Sequence, residues 1–551
     1  MKNQTCLNLK LPSFGENLIE QTNQLKMANN YQWLKIQNNI FSLHPLTIIL
    51  MIFFLLIIIY KFLLITPKSK KHLPPCPTKL PIIGNFHQID KRLPHRSLHN
   101  LAKKHGKIML LQFGIKKVLI ISSSEGAYEI MKTHDLIFAN RPALSMFKKL
   151  IYDCKDVATA PYGDYWRRMR SICVNQLLNN SRVQAFHIVR EEEISHMNKQ
   201  IKNSKLVNLS NLLSNFSTDV ICRAAFGMKF NGKIDGINFK DLHEKHEELV
   251  GSFNVADFVP WLGWINYVNG VEKEVKRVKR DMNRILEGLI EEHLDGFRKN
   301  EGIIKGDNDS NYENTRDFVD VLLDLQKDNS DYAAENSLTR ESIKAIIMDM
   351  FVAGSTTTFA TLEWAMSELL RNLHAMETLK REVRSITGDK EIITETDLNK
   401  MEYLKAVIKE TFRLHPAVPL LLPRVSTKET TINGYDIPAG TQVIINAWSI
   451  HRDPSMWNEP NEFNPERFIN SGIDFKGQHF NLIPFGAGRR GCPGILFGTA
   501  NIELVLANLM QKFDWALPDN VDGKSLDMVE YPGLTTHRNT PLILIATPYS
   551  T

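Results

Sequence analysis

The stretch that most narrows the folds open to this chain runs from Asn481 to Gly494, where a single cysteine closes a glycine-rich loop. Apolar residues Ile502, Val505, Leu506 and Leu509 follow at helical spacing and predict a helix over Ile495 to Phe513. Pro493 suits the first position of that helix, because an N–H there would have no partner. Cys492 is therefore expected at a helix N-terminus, where the dipole and free N–H groups favour a thiolate. A thiolate on a rigid loop is a metal ligand or a nucleophile. Gly486, Gly488 and Gly491 also fit the glycine spacing of a dinucleotide-binding turn, with Asp514 near the place of an acidic ribose ligand. That reading needs a preceding strand and repeated strand–helix units, and too little chain follows.

The 551 residues are 43% hydrophobic and 23% charged, enough material for a large core. A net charge of +6 suits an acidic partner or an anionic membrane surface and falls far short of a nucleic-acid-binding signature. The six cysteines (Cys6, Cys76, Cys154, Cys173, Cys222 and Cys492) include no C-x-x-C pair, which argues against a disulfide framework or structural zinc. The first five read as small buried hydrophobes.

Four segments follow from the chain order. Residues 1–45 form a polar, Asn-rich extension. Residues 46–65 are almost wholly apolar, and twenty helical residues span about 30 Å, the thickness of a bilayer core. Lys68, Lys70 and Lys71 outnumber Lys26 and Lys35 on the other flank, so the remainder of the chain is expected in the cytosol. Met27 offers an alternative start, and Asn3-Gln4-Thr5 would be a glycosylation acceptor in a luminal tail. Residues 66–80 are a basic, proline-rich linker containing Leu73-Pro74-Pro75-Cys76-Pro77. Residues 81–551 read as one mainly helical domain with small β-sheets. Strands are predicted over Lys107–Phe113 and Val118–Ser122, and a hairpin over Thr430–Ile437 turns at Asn433-Gly434. Glu301–Thr315 reads as a surface loop.

Other motifs bear on the cysteine loop. Trp166 and Arg170 share a helix face, and an indole N–H beside a guanidinium suits a carboxylate. Glu410 and Arg413 lie one turn apart on a helix that Pro416 must end. A long helix over about Thr339–Arg371, capped by Thr339 or Ser337, carries Gly354-Ser355-Thr356-Thr357-Thr358 in its middle. Such residues are poor helix formers, so a distortion with free carbonyls is expected there.

With Phe485, Gly488, Arg490, Cys492 and Gly494 these motifs resemble the cytochrome P450 superfamily, most closely the plant A-type microsomal group, to which Tyr162-Gly163-Asp164-Tyr165-Trp166 also points. The resemblance runs from the apolar segment to the end of the chain. It implies a cytochrome P450-like haem domain behind a single-pass anchor in the endoplasmic reticulum membrane, facing the cytosol. It implies haem b, with Cys492 as axial iron ligand and Trp166, Arg170, Arg424, Phe485 and Arg490 as cofactor contacts. Glu410, Arg413 and Arg467 become a structural network. Thr357 becomes the threonine of oxygen activation, with Thr356 where the family usually carries an acid. Phe147, Ile151, Ala353, Val418, Leu420 and Leu534 become cavity residues, joined by Thr535 and the segment Phe253–Trp264. The implied activity is oxidation of a lipophilic small molecule, a terpenoid or a phenolic or coumarin compound, with O2. Electrons come from NADPH through a membrane-bound NADPH–cytochrome reductase, whose acidic face Arg167 and Arg168 would meet. A haem-thiolate isomerase or dehydratase working without reductase is the alternative, and a haem sensor a third.

Overall fold

The computed structural model describes residues 45–64, 72–229, 233–234, 236–300, 316–327 and 338–549. The extension before Pro45, the flanking lysines Lys68, Lys70 and Lys71, and the loop Glu301–Thr315 lie outside these residues. The boundary between its two structural units falls between Lys71 and His72.

In the first unit, helix α1 (Pro45–Leu64) exposes apolar side chains from Ile48 to Ile59. The second unit begins with the proline-rich stretch. Pro74 and Pro77 are buried, and the Pro75 carbonyl accepts from Leu110 N at 2.9 Å, so this stretch is docked on the domain from His72 onward.

The six helices that build the site are α2 (Asp164–Ile172), α3 (Leu209–Phe226), α4 (Phe239–Gly251), α5 (Arg340–Arg371), α6 (Glu402–Leu414) and α7 (Ile495–Lys512). Thr339 caps α5 by accepting from Ser342 N at 3.1 Å. Although α5 is long and apolar enough to cross a membrane, it is the central core helix, with Ile343, Ile346, Trp364 and Leu369 fully buried. It packs along α3, where Gly354 permits the close approach: a Cβ there would stand 3.0 Å from Ile221 Cδ1. The helix α6 ends at Leu414, two residues before Pro416.

A four-stranded sheet orders Ile108–Phe113, Lys116–Ile121, Gln442–Ile445 and Arg424–Val425, with only the second and third strands parallel. Its short edge strand carries Arg424, which pairs with Val443. The hairpin Thr430–Ile432 with Tyr435–Ile437 turns at Asn433 and Gly434, whose φ values of 45° and 81° suit those two residue types.

Two expectations about helix detail are corrected. Pro493 is not the first helical residue: α7 is capped by Gly494, which leaves Cys492 in the turn before it. The middle of α5 is uninterrupted, and its carbonyls accept from side-chain hydroxyls as well. Ser355 Oγ donates to Phe351 O at 2.8 Å, Thr357 Oγ1 to Ala353 O at 2.5 Å and Thr361 Oγ1 to Thr357 O at 2.8 Å.

Candidate active site

Beneath α5 lies a mainly apolar cavity of about 1450 Å³. Ligand pockets usually hold about 300–1,000 Å³, so this one has room for a large planar group together with a substrate. Cys492 lines it on the α7 side and Ala353, Thr356 and Thr357 on the α5 side. Phe147, Ile151, Val418, Leu420, Leu534 and Thr535 complete the wall. The segment Phe253–Trp264 divides: Phe253 and Phe258 line the cavity, whereas Trp261 and Trp264 are exposed to solvent.

The cysteine loop is held by its own backbone. Cys492 N donates to Phe485 O at 2.9 Å and Gly491 N to Gly488 O at 3.0 Å. Gly488 has φ +69°, and a Cβ there would stand 2.2 Å from Met131 O, so only glycine fits against the neighbouring chain. Phe485 braces the loop edge-on to Phe412 at 5.0 Å and reaches the cavity. Gly494 N donates to the Cys492 sulfur at 3.3 Å. Burial pushes the Cys492 thiol up, opposed by that N–H and by Arg170. The loop alone therefore does not make the thiolate that the sequence predicts. A bound cation would, since metal ligation deprotonates a thiol. The same local architecture removes the dinucleotide reading, for no strand–helix–strand unit surrounds this loop.

Four guanidinium groups ring one side of the cavity: Arg141, Arg170, Arg424 and Arg490. Arg490 donates to Ala139 O at 2.7 Å, Ala160 O at 2.6 Å and Val157 O at 3.2 Å. Arg424 donates to Ala487 O at 3.1 Å, and its nearest carboxylate, Asp135, is 3.9 Å away. Arg141 spans Ala158 O at 3.0 Å, Leu422 O at 2.7 Å and Pro423 O at 2.9 Å. Burial pulls Arg424 down to about 10, and burial with the neighbouring cations pulls Arg490 to about 9 and holds Arg141 well below its ordinary value. Carbonyl dipoles do not neutralise this charge. A buried dianionic group would, and the two carboxylates of a haem fit the donor set. Arg141 escaped the sequence reading.

Trp166 departs from its expected role. Its indole N–H donates to Val157 O at 3.0 Å, and its ring lies under the Arg490 guanidinium at 4.2 Å. The side chain is thus spent on holding the 157 backbone and on a cation–π contact, and it is Arg170 that reaches the cavity. The same backbone is fixed from α5. Asp349 accepts from Val157 N at 2.7 Å and Ala158 N at 3.2 Å, while Asp156 accepts from Thr159 N at 2.8 Å. Burial and the facing carboxyl push Asp349 well above the usual carboxylate range, and burial raises Asp156 too.

Behind the cysteine loop, Glu410 receives Arg413 Nε and Nη2, each at 2.7 Å, Arg467 Nε at 3.0 Å and Asn464 N at 2.8 Å. Arg413 also donates to the carbonyls of His451, Pro460 and Glu462. Glu410 and Arg413 are fully buried, Arg467 partly. Arg167, by contrast, is exposed and paired with Asp164. Of the remaining described cysteines, Cys154, Cys173 and Cys222 are buried and Cys76 is exposed; none is in a disulfide.

The cytochrome P450 family model matches residues 74–544, and the chain belongs to that family. It is 48% identical over 532 residues to a cytochrome P450 of Prunus mume, covering 95% of this chain and 100% of the relative. The tabersonine/lochnericine 19-hydroxylase of Catharanthus roseus is 46% identical over 513 residues, with 92% and 99% covered. The norfluorocurarine oxidase of Strychnos is 45% identical over 511 residues, with 92% and 97% covered. The solved structure of a zebra fish cytochrome P450 with progesterone superimposes with a TM-score of 0.69 at 23% identity, covering 83% and 99%, and shares the fold. The protein is therefore a cytochrome P450 monooxygenase of plant type, and its family implies a haem, O2, a small-molecule substrate and a redox partner.

Proposed function

We propose that this chain is a membrane-anchored haem-thiolate monooxygenase of plant specialised metabolism, taking electrons from NADPH through a separate reductase. Cys492 would supply the thiolate that ligates the haem iron, and Arg141, Arg170, Arg424 and Arg490 would hold the haem carboxylates. The single observation that carries the reading is the cavity lined by Cys492, by Thr357, by apolar side chains and by Arg141, Arg170, Arg424 and Arg490. Thiolate-ligated haem, when bound, activates dioxygen and favours O–O cleavage. The protein supplies the rest. The Cys492 loop fixes the sulfur, and Phe485 shields it from water. Phe147, Ile151, Val418, Leu420 and Leu534 bury a lipophilic substrate against Ala353. Thr357, whose hydroxyl donates to Ala353 O, lines the cavity where a proton could be passed on. In the overall reaction two electrons and two protons reduce O2, so that one oxygen atom enters the substrate and the other leaves as water.

Membrane attachment rests on two features. The twenty residues of α1 match a bilayer core. In the catalytic unit, Trp261, Trp264, Tyr267 and Val268 are exposed together, and Ile82, Ile83 and Ile115 are exposed along a stretch where Ile115 N donates to Phe258 O at 2.9 Å. Apolar and aromatic exposure on this scale suits a lipid interface. Residency in the endoplasmic reticulum with the catalytic unit in the cytosol follows from the anchor and its basic flank. The substrate class is a lipophilic terpenoid, alkaloid or phenolic, in keeping with the alkaloid-acting relatives.

Microsomes co-expressing the chain and a plant reductase, offered a metabolite library and isotopically labelled dioxygen, test this. One labelled oxygen in a product that requires NADPH is expected. A product formed without NADPH or reductase would instead indicate an isomerase or dehydratase.

A further inference from the structure

The family's usual acid is missing at Thr356, yet Thr356 is not without acidic company. Two side chains lie near it on α4, a helix whose Phe239 and His243 pack on Phe351 of α5. The Glu247 carboxyl lies 3.9 Å from His243 Nε2 and near enough to Thr356 for that hydroxyl to favour its ionised form. That nitrogen is 3.4 Å from Thr356 Oγ1 and 3.2 Å from Ser355 Oγ. His243 and Glu247 are four residues apart and so share one face of α4. Thr356, Thr357, His243 and Glu247 all line the cavity.

The other acids of α5 near this point are committed elsewhere. Asp349 binds the 157–158 backbone, and Glu363 accepts from Arg538 N at 2.9 Å and from Ser210 Oγ. On α4, His246 is buried beside His243, while Glu244 and the paired Lys245 and Glu248 lie toward the open side. The Glu247 side chain retains 23% exposure, so water reaches it.

We infer that Glu247 is the proton-supplying group of this site, and that α4 lends α5 the carboxyl missing at position 356. Glu247 gives its proton to Thr356 Oγ1 as that hydroxyl releases its own hydrogen to the next hydroxyl or water in the cavity. The carboxylate left behind is reprotonated from solvent on the open side of α4. His243 positions both partners. Burial holds its ring neutral, with a pKa lowered to about 3, so Nε2 donates or accepts according to tautomer without carrying charge. His246 is likewise held neutral, at about 4. Burial also pushes Glu247 up to about 7, where an acid is best matched to donation near neutral pH. The inference rests on the monooxygenase reading, in which protons are consumed.

Two readouts test it on the full-length, haem-loaded protein. The first needs no turnover. Infrared titration of the resting protein should show a protonated-carboxyl band that fades as pH rises through about 7, is missing in Glu247→Gln and shifts in Thr356→Val. The second uses reductase and ethoxycoumarin and compares peroxide released with NADPH consumed. Glu247→Gln should raise the peroxide fraction at least threefold, and Glu247→Gln/Thr356→Asp should restore it by returning the acid to α5. If Glu247→Gln fails to hold haem, Thr356→Val removes the same relay and should raise peroxide equally. An unchanged peroxide fraction in both single variants, or no carboxyl band removed by Glu247→Gln, would overturn the proposal. If wild type fails to turn over any of the library with NADPH and reductase, the proposed function falls, while the infrared titration still decides the state of Glu247.

Discussion

Replacing Glu410 with alanine should be the most damaging single change outside the cavity. Glu410 accepts four hydrogen bonds, two from Arg413, one from Arg467 and one from Asn464 N. Arg413 is fully buried, and its one other N–H-bearing nitrogen is occupied by main-chain carbonyls, so no second carboxylate can take over the charge. Breaking a buried pair by removing one partner costs about 3–5 kcal/mol, and leaving the Asn464 N–H without a partner adds about 1 kcal/mol or more. A loss of about 4–6 kcal/mol is a large share of the about 5–15 kcal/mol that holds a native protein together. The network anchors the chain from Pro460 to Glu466 beside α6, so the damage should spread toward the cysteine loop. The assay is the haem-loaded fraction from the ferrous–CO Soret band, with thermal unfolding by circular dichroism. Glu410→Ala should load little haem and unfold at lower temperature, and Glu410→Gln should fall between it and wild type. A Glu410→Ala protein with normal haem loading and an unshifted unfolding temperature would refute the argument that the pair is structural.

Two further outcomes follow. Asp156 and Asp349 are raised in the folded state, so the stability they contribute is full below the ordinary carboxylate pKa and is lost as pH rises through the folded value. Wild type should lose unfolding temperature as pH climbs above the ordinary carboxylate range, and Asp349→Asn should flatten that slope. Gly488→Ala would force a Cβ to within 2.2 Å of Met131 O at a positive φ, so purified protein should carry markedly less haem at similar expression.

What could be read from the sequence was what local spacing encodes. The Glu410–Arg413 pair, the Thr339 cap, the Asn433-Gly434 turn and the loop around Cys492 are each set by residues within a few positions of one another. Sequence spacing misled where a side chain had a nearer use than the ligand. Trp166 spends its N–H on Val157, which lies nine residues upstream on a different element and could not be foreseen from helix periodicity. The run Gly354–Thr358 stays helical despite its weak propensity, which the packing of α5 along α3 overrides. Arg141, the Asp156–Asp349 pair and the approach of His243 and Glu247 to Thr356 depend on contacts spanning tens to hundreds of positions. Their only local trace was the four-residue spacing of His243 and Glu247, which any solvated helix face also shows.

The central claim is that the Cys492 sulfur is the axial ligand of a haem. The most direct measurement is the ferrous–CO absorption spectrum of Cys492→Ser beside wild type, normalised to haem by the pyridine haemochrome. Wild type should show the red-shifted Soret band of thiolate ligation and Cys492→Ser should lose it, whereas Cys154→Ser, Cys173→Ser and Cys222→Ser should keep it. Retention of the red-shifted band by Cys492→Ser would contradict the claim and assign the ligand elsewhere.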